Sequence, residues 1–142
     1  MASETHRPVP KPGGYVPTQP FWDGAREGKL MLQYCTDTNR FQHYPRPVSL
    51  ATGSRNVEWR EVSGNGTIYA RTIVRITGPG LEGRLPLCVV TVELDEGVRI
   101  LANILDSAPE DVAIGMRVRV AWDHLDGDVP YPAFRLVREG DV

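Results

Sequence analysis

The sequence predicts a mainly β protein, with an N-terminal helix and a small loop-rich module leading into a five-stranded antiparallel barrel. Three observations predict it. From Val57 onward the chain reads as strand after strand, alternating apolar and polar residues. Glycine-bearing breaks separate those strands, notably Gly64-Asn65-Gly66 and Glu96-Gly97. Ahead of Val57 the texture is different: a proline-rich start, one short amphipathic stretch, then a run of loops.

Taken in order, residues 1–17 hold four prolines and two glycines. Such a segment forms neither a helix nor a central strand, so an extended arm is expected. "TQPFWDGAREGKL" predicts a short helix, with Thr18 as N-cap, Pro20 in the first turn and Gly28 as the stop. Phe21, Trp22 and Ala25 would form its apolar face. "KLMLQYC", residues 29–35, predicts a strand, and residues 36–56, with Pro45, Pro47 and Gly53, predict a compact ribbon-like module. The regions are then an arm at 1–17, a helix plus module at 18–56 and a barrel at 57–142.

Within the barrel, "VEWREVSGNGTIYARTIVRI" supplies the first strand, bent at its glycines. "PLCVVTVELD" and "VRILANIL" make a hairpin about Glu96-Gly97, "SAPEDVAIG" a short helical turn, and "MRVRVAWDHL" and "YPAFRLV" the last two strands. Five strands with one helical turn between the third and fourth match the OB-fold, a five-stranded Greek-key barrel. An SH3-like barrel is the structural rival. Arg117 and Arg119 alternate with valines and are expected on a wet outer face.

Bulk properties narrow the function. The chain has 142 residues, 41% apolar and 24% charged, enough to bury a core without disulfides or metals. Its net charge of -2 argues against duplex nucleic acid as the main partner. Cys35 and Cys88 make no disulfide framework, and Cys88, inside "LPLCVVTVEL", reads as a buried small hydrophobe. No apolar stretch approaches the ~20 residues that cross a bilayer. The start carries no signal-peptide pattern, so a cytoplasmic location is expected.

The loop-rich module raises a specific question. A structural zinc ribbon uses two closely spaced pairs of thiolates or imidazoles. Pairs of that spacing would fall at positions 35 and 38 and at 49 and 52, which hold Cys35, Thr38, Ser49 and Thr52. Hydroxyls keep their protons at neutral pH and are poor zinc ligands, so bound zinc is not expected. The module would instead be held by packing of Met31, Phe41, Tyr44 and Val48 and by hydrogen bonds from the replacement hydroxyls.

No G-x-S-x-G elbow, P-loop or dinucleotide fingerprint is present. His124 lies near Asp123 and Asp126, but with no nucleophile beside it the group reads as a solvated loop rather than an acid–base pair.

"PFWDGAREGKLMLQYC", then "YPRPVS", then "GNGTIYARTIVRI", "PLCVVTVELDEGVRILANIL" and "EDVAIGMRVRVAW", in that order, resemble the acyl-CoA-associated family of rubredoxin-like zinc ribbon plus OB-fold proteins, domain of unknown function family thirty-five. The resemblance covers residues 18–138. Its departure is the ribbon, where the family usually has four cysteines and this chain has one. What the resemblance implies is a small, non-catalytic partner subunit of a thiolase-like enzyme (a thiolase, an aldolase or an acyltransferase). Such a subunit helps bind or shape the site for an acyl-CoA thioester.

A CoA thioester carries phosphates, which favour the planar donor fork of arginine. Arg46, Arg71, Arg75 and Arg84 are the candidates, and Asn103 in "ILANIL" is a candidate for a pantetheine amide. Arg71 and Arg75 would share a strand face with Ile73 between them. The glycine-rich "TGPGLEGRLP", residues 77–86, would border the acyl-CoA entrance or the partner interface. An exposed apolar patch around Phe21, Trp22, Phe41 and Tyr44 would dock the partner. No cofactor is expected besides the CoA ester as ligand. Two alternatives compete. A single-stranded nucleic-acid-binding OB-fold would use Trp59, Tyr69 and Arg71, against the acidic balance. A small autonomous hydrolase would use His124 with Asp126.

Overall fold

The computed structural model describes residues 18–77, 82–124 and 129–138. The expected arm at 1–17, residues 78–81 of the glycine-rich loop and Asp126 lie outside the described residues.

Helix α1 runs over Gln19–Arg26, with proline in its first turn. It stops where expected: the Gly28 N–H donates to the Ala25 carbonyl at 3.0 Å, and Gly28 has φ 73°. Thr18 stands at the N-cap position but makes no capping side-chain hydrogen bond. The buried face is Phe21, Gly24 and Ala25, with Trp22 turned partly outward. A Cβ at Gly24 would lie 2.3 Å from Met31 Cγ, so only a glycine lets the helix sit this close to the next strand.

That strand, β1 (Met31–Cys35), is the centre of a three-stranded antiparallel sheet, between β2 (Arg40–Gln42) and β3 (Val57–Glu61). Here the structure corrects the sequence reading. Residues 57–61 were expected to open the barrel, yet β3 pairs with β1, Tyr34 opposite Glu58 and Gln33 opposite Trp59. The ladder continues to the Val62 N–H, which donates to the Leu30 carbonyl at 2.9 Å. The chain changes sheet at Gly64, whose φ of 79° a side chain rarely adopts. Alternation on both sides of a glycine break cannot tell a bent strand from two strands in different sheets.

Five strands follow: β4 (Asn65–Val74), β5 (Leu87–Leu94), β6 (Arg99–Asn103), β7 (Arg117–Asp123) and β8 (Tyr131–Leu136). Their order in the sheet is β6-β5-β4-β7-β8, all antiparallel. A short 3-10 turn at Pro109–Asp111 lies between β6 and β7, as expected. The two edge strands meet in a single parallel bridge, Ile104 to Phe134, so the sheet curls into a barrel. Gly66 permits tight pairing, since a Cβ there would lie 2.6 Å from Val92 Cγ1.

One apolar cluster joins the helix, the ribbon sheet and the barrel. Ile68, Val90, Val92, Leu94, Ile100, Val118 and Phe134 fill the barrel, and Phe21, Leu30 and Leu32 extend the cluster to α1 and β1. Arg117 and Arg119 face outward as expected, and Arg117 pairs with Asp95 at 2.7 and 2.9 Å. Among the described residues, no helix is long and apolar enough to cross a membrane.

Candidate functional site

The barrel's seam, between the edge strands β6 and β8, opens into a cavity of about 390 Å³. Its walls come from the helix, the ribbon and the barrel: Phe21 and Trp22 of α1, His43 to Pro45 of the ribbon, Ile100 to Asn103 of β6, and Tyr131 and Pro132 of β8. The aromatic rings are packed edge to face, Phe21 on Trp22 at 5.0 Å and Trp22 on Tyr131 at 5.4 Å. Apolar walls of this kind suit an uncharged, hydrophobic ligand body.

The cavity has one polar end. Asp123 closes β7 and is 4% exposed, a buried carboxylate that must find donors. Arg84 supplies two, at 2.6 and 2.8 Å, and the Asn103 side-chain amide a third, at 3.3 Å. Two of the residues expected to bind an acyl-CoA, Arg84 and Asn103, thus meet on Asp123, which sequence reasoning passed over as part of a polar loop. Arg84 therefore has its donor fork directed at Asp123 rather than outward to a phosphate.

The other candidates stand apart from that pair. Arg71 lies opposite the fully buried Val90 and donates to the Pro109 carbonyl at 3.2 Å. Ile73, opposite the buried Cys88, shares its side of the sheet, as the spacing predicts. Arg75 follows the end of β4. Arg46 is exposed, and its peptide group is held on both sides by Gln33.

The expected apolar patch is divided. Phe21 is 8% exposed and belongs to the core, because the helix turns that face onto β1. Trp22 and Tyr44 line the seam cavity, and Tyr44, 54% exposed, packs in the ribbon against His43 with the two rings 4.2 Å apart. Phe41 packs edge to face on Tyr34 at 5.0 Å and borders a second cavity of about 480 Å³, between ribbon and barrel.

His43 lines both cavities, stacked near Phe21 at 6.0 Å and tilted against Tyr44 at 4.2 Å. Its buried Nδ1 has no hydrogen-bond partner, and burial pushes its pKa down to about 4, so the ring is neutral at pH 7. His124 is exposed. Burial pushes the Cys88 thiol up, with Arg71 opposing the shift, so it keeps its proton at neutral pH. Among the described residues these groups do not assemble into a nucleophile with its base. The strip required for stacking bases is not formed either. Trp59 sits in the ribbon sheet, the Tyr69 ring is covered by the Arg99 guanidinium at 3.6 Å, and Arg71 is bonded to Pro109.

In the ribbon, hydrogen bonds engage Cys35, Ser49 and Thr52 where metal ligands would stand, whereas the buried Thr38 hydroxyl, expected to bond as well, has no partner among the described residues. The buried Ser49 hydroxyl donates to Cys35 Sγ at 3.1 Å, the main cause that holds the Cys35 thiol below its ordinary pKa. Thr52 turns away to Asp37 at 2.9 Å. Asp37 also accepts from Ser54 and from Asn56, the latter at 2.9 Å, and these donors hold its carboxyl below the usual range. A second network was not expected from the sequence. The Gln42 amide donates to the Gln33 carbonyl oxygen at 2.8 Å, and the two side chains bind the backbone of Arg46, Val48 and Leu50. Both glutamines are buried. A polar residue at an inward position on each of two paired strands was the only clue, and it needed the pairing to be known.

Comparison with known proteins divides the chain within β3, close to the boundary expected from the sequence. Residues 22–57 match the family described as ChsH2, rubredoxin-like zinc ribbon domain, and residues 59–123 match ChsH2, C-terminal OB-fold domain. A probable enoyl-CoA hydratase alpha subunit of Thermomonospora curvata is 33% identical over 81% of this chain, which spans 36% of that relative's length. A DUF35 domain-containing scaffold protein of Pyrococcus furiosus is 32% identical over 70% of this chain and 74% of its own. Among solved structures, a chain of the Ltp2-ChsH2(DUF35) aldolase superposes with a TM-score of 0.80 at 28% identity, covering 89% of this chain and 98% of that one. The ribbon match implies zinc, but the residues present do not fit it. One thiol, already bonded to Ser49, is a poor donor set for a structural site, and no cluster of three acidic, histidine or cysteine side chains exists among the described residues.

Proposed function

The chain belongs to the family of DUF35 proteins built from a ChsH2-type ribbon and OB-fold, and on that premise we propose that it is a non-catalytic accessory subunit of a thiolase-like enzyme. In this reading it docks on a thiolase, aldolase or acyltransferase and helps to shape the site for an acyl-CoA thioester. The observation that carries the proposal is the near-complete overlap with the DUF35 chain of a two-protein aldolase assembly, 98% of that chain at a TM-score of 0.80.

The geometry supports the same reading. Among the described residues, three side chains of types that perform acyl-transfer chemistry elsewhere have structural roles: Asp123 is tied to Arg84, Cys35 to Ser49, and Cys88 belongs to the core. What remains is shape, an apolar seam cavity next to the exposed Tyr44 and Leu101. The ribbon supplies a handle whose form depends on hydrogen bonds rather than on a metal. Size-exclusion chromatography of this chain with a candidate thiolase-like protein of the same organism tests the proposal. Co-elution as a stoichiometric heteromer is expected, and persistent separation at micromolar concentration contradicts it.

A further inference from the structure

The hydrogen bonding of β6 leaves part of its backbone facing the seam cavity. The Leu94 N–H donates to Val98 at one end of the β5–β6 hairpin, and the Ile104 N–H donates to Cys88 at the other. Antiparallel alternation between those fixed points turns the peptide groups of Ile100 and Ala102 toward β5 and the groups of Arg99, Leu101 and Asn103 outward. β6 ends the sheet, and among the described residues no strand pairs with its outer edge before the bridge at Ile104. The cavity lies against this stretch, with Leu101 57% exposed and Pro132, which has no N–H, in the opposite wall.

We propose that this stretch of β6 is a bed for the pantetheine arm of a thioester, an inference that rests on the accessory-subunit reading above. A peptide strand needs a long run of unpaired backbone, and here the run is cut off at Ile104. A pantetheine arm needs only a short one. Its two amides, on one flexible chain, match the N–H and C=O of Leu101 and the N–H of Asn103, which are two residues and about 7 Å apart along the strand. The thioester end, with an apolar acyl group, enters the aromatic walls of Trp22 and Tyr131. Asp123 does not oppose an uncharged arm, because Arg84 balances its charge. The arm is common to coenzyme A and to acyl carrier proteins.

The test uses the full chain, labelled with nitrogen-15 and titrated with S-octyl pantetheine, a thioether that carries neither nucleotide nor carrier. The amide signals of Leu101 and Asn103 are expected to move downfield on binding. Leu101→Pro removes an N–H that no strand uses and is expected to weaken binding about tenfold, with an unchanged melting temperature. A folded Leu101→Pro chain that binds as tightly as the parent overturns the proposal, as does a parent that fails to bind the probe. If the variant does not fold, the parent decides: Leu101 and Asn103 signals unmoved at saturation overturn it. Parallel titrations with S-octyl-CoA and with an octylated carrier protein identify the source of the arm, the tighter of the two being the physiological one. Because the assay needs no partner, failure here leaves the co-elution result standing, and failure of co-elution leaves this titration to be judged alone.

Discussion

The Ser49 hydroxyl donates to the sulfur of Cys35 at 3.1 Å, directly across the place where a ribbon metal would be held. One thiol and three hydroxyls are the wrong donors for zinc, and the hydrogen bond already satisfies the thiol. The chain, purified with zinc in the medium, is expected to carry far less than one equivalent by atomic emission, and chelation is expected to leave its melting temperature unchanged. One tightly held equivalent, or a fall in melting temperature on chelation, contradicts this. The variant combining Thr38→Cys, Ser49→Cys and Thr52→Cys supplies the control, and is expected to take up zinc.

Asp37 gathers the hydroxyls of Thr52 and Ser54 and the amide of Asn56 onto one carboxylate. Replacing it removes the shared acceptor of three exposed donors at once. Asp37→Ala is expected to lower the melting temperature by more than Asp23→Ala, a change at an exposed helix carboxylate with two side-chain partners. Equal effects contradict a special role for Asp37. The depressed pKa gives the sign of its pH dependence: this contribution is present above the ordinary aspartate value and is lost as pH falls through the folded value.

His43 makes a separate contribution at higher pH. Its folded value is about 4, from 6.5 in the unfolded chain, because burial disfavours the charged ring. Between those values the unfolded chain binds a proton that the folded chain refuses, so stability is full above pH 6.5 and declines toward pH 4. Denaturant unfolding at pH 7.5 and pH 5 is expected to show this decline, at most about 3 kcal/mol over the full range. His43→Phe, which cannot titrate, is expected to reduce it. A parent and variant with parallel profiles contradict the assignment.

Arg84 and Asp123 are expected to be coupled. Arg84→Ala leaves a carboxylate without its counterion at a residue 4% exposed, and is expected to cost about 2–3 kcal/mol. On an Asp123→Asn background the same change is expected to cost less than half as much. Additive effects in the double-mutant cycle contradict the coupling.

Much of the fold was legible because it is written in periodicity. Val90, Val92 and Leu94 alternate without interruption, Glu96-Gly97 makes the hairpin, and Gly28 ends the helix. The misplacement of residues 57–61 came from the same rule, since alternation reports a strand but not the sheet it joins. The site was less legible. Arg84 and Asn103 were singled out for a chemistry that fits their types, but their partner is Asp123, distant from both in sequence and recognisable only once β7 buries it. Phe21 was expected at the surface because hydrophobicity alone does not say which side of an eight-residue helix meets the core. The Gln33–Gln42 network depends on the register of β1 and β2, which no local signal specifies.

The central claim is that this chain supplies walls and a handle while a second protein supplies the reactivity. Steady-state turnover of an acyl-CoA by the chain alone, by a co-eluting thiolase-like protein alone and by the two mixed tests it most directly. The account predicts background turnover from the chain alone and a higher rate from the mixture than from the thiolase-like protein alone. Turnover by the isolated chain, or a mixture no faster than the thiolase-like protein, contradicts it.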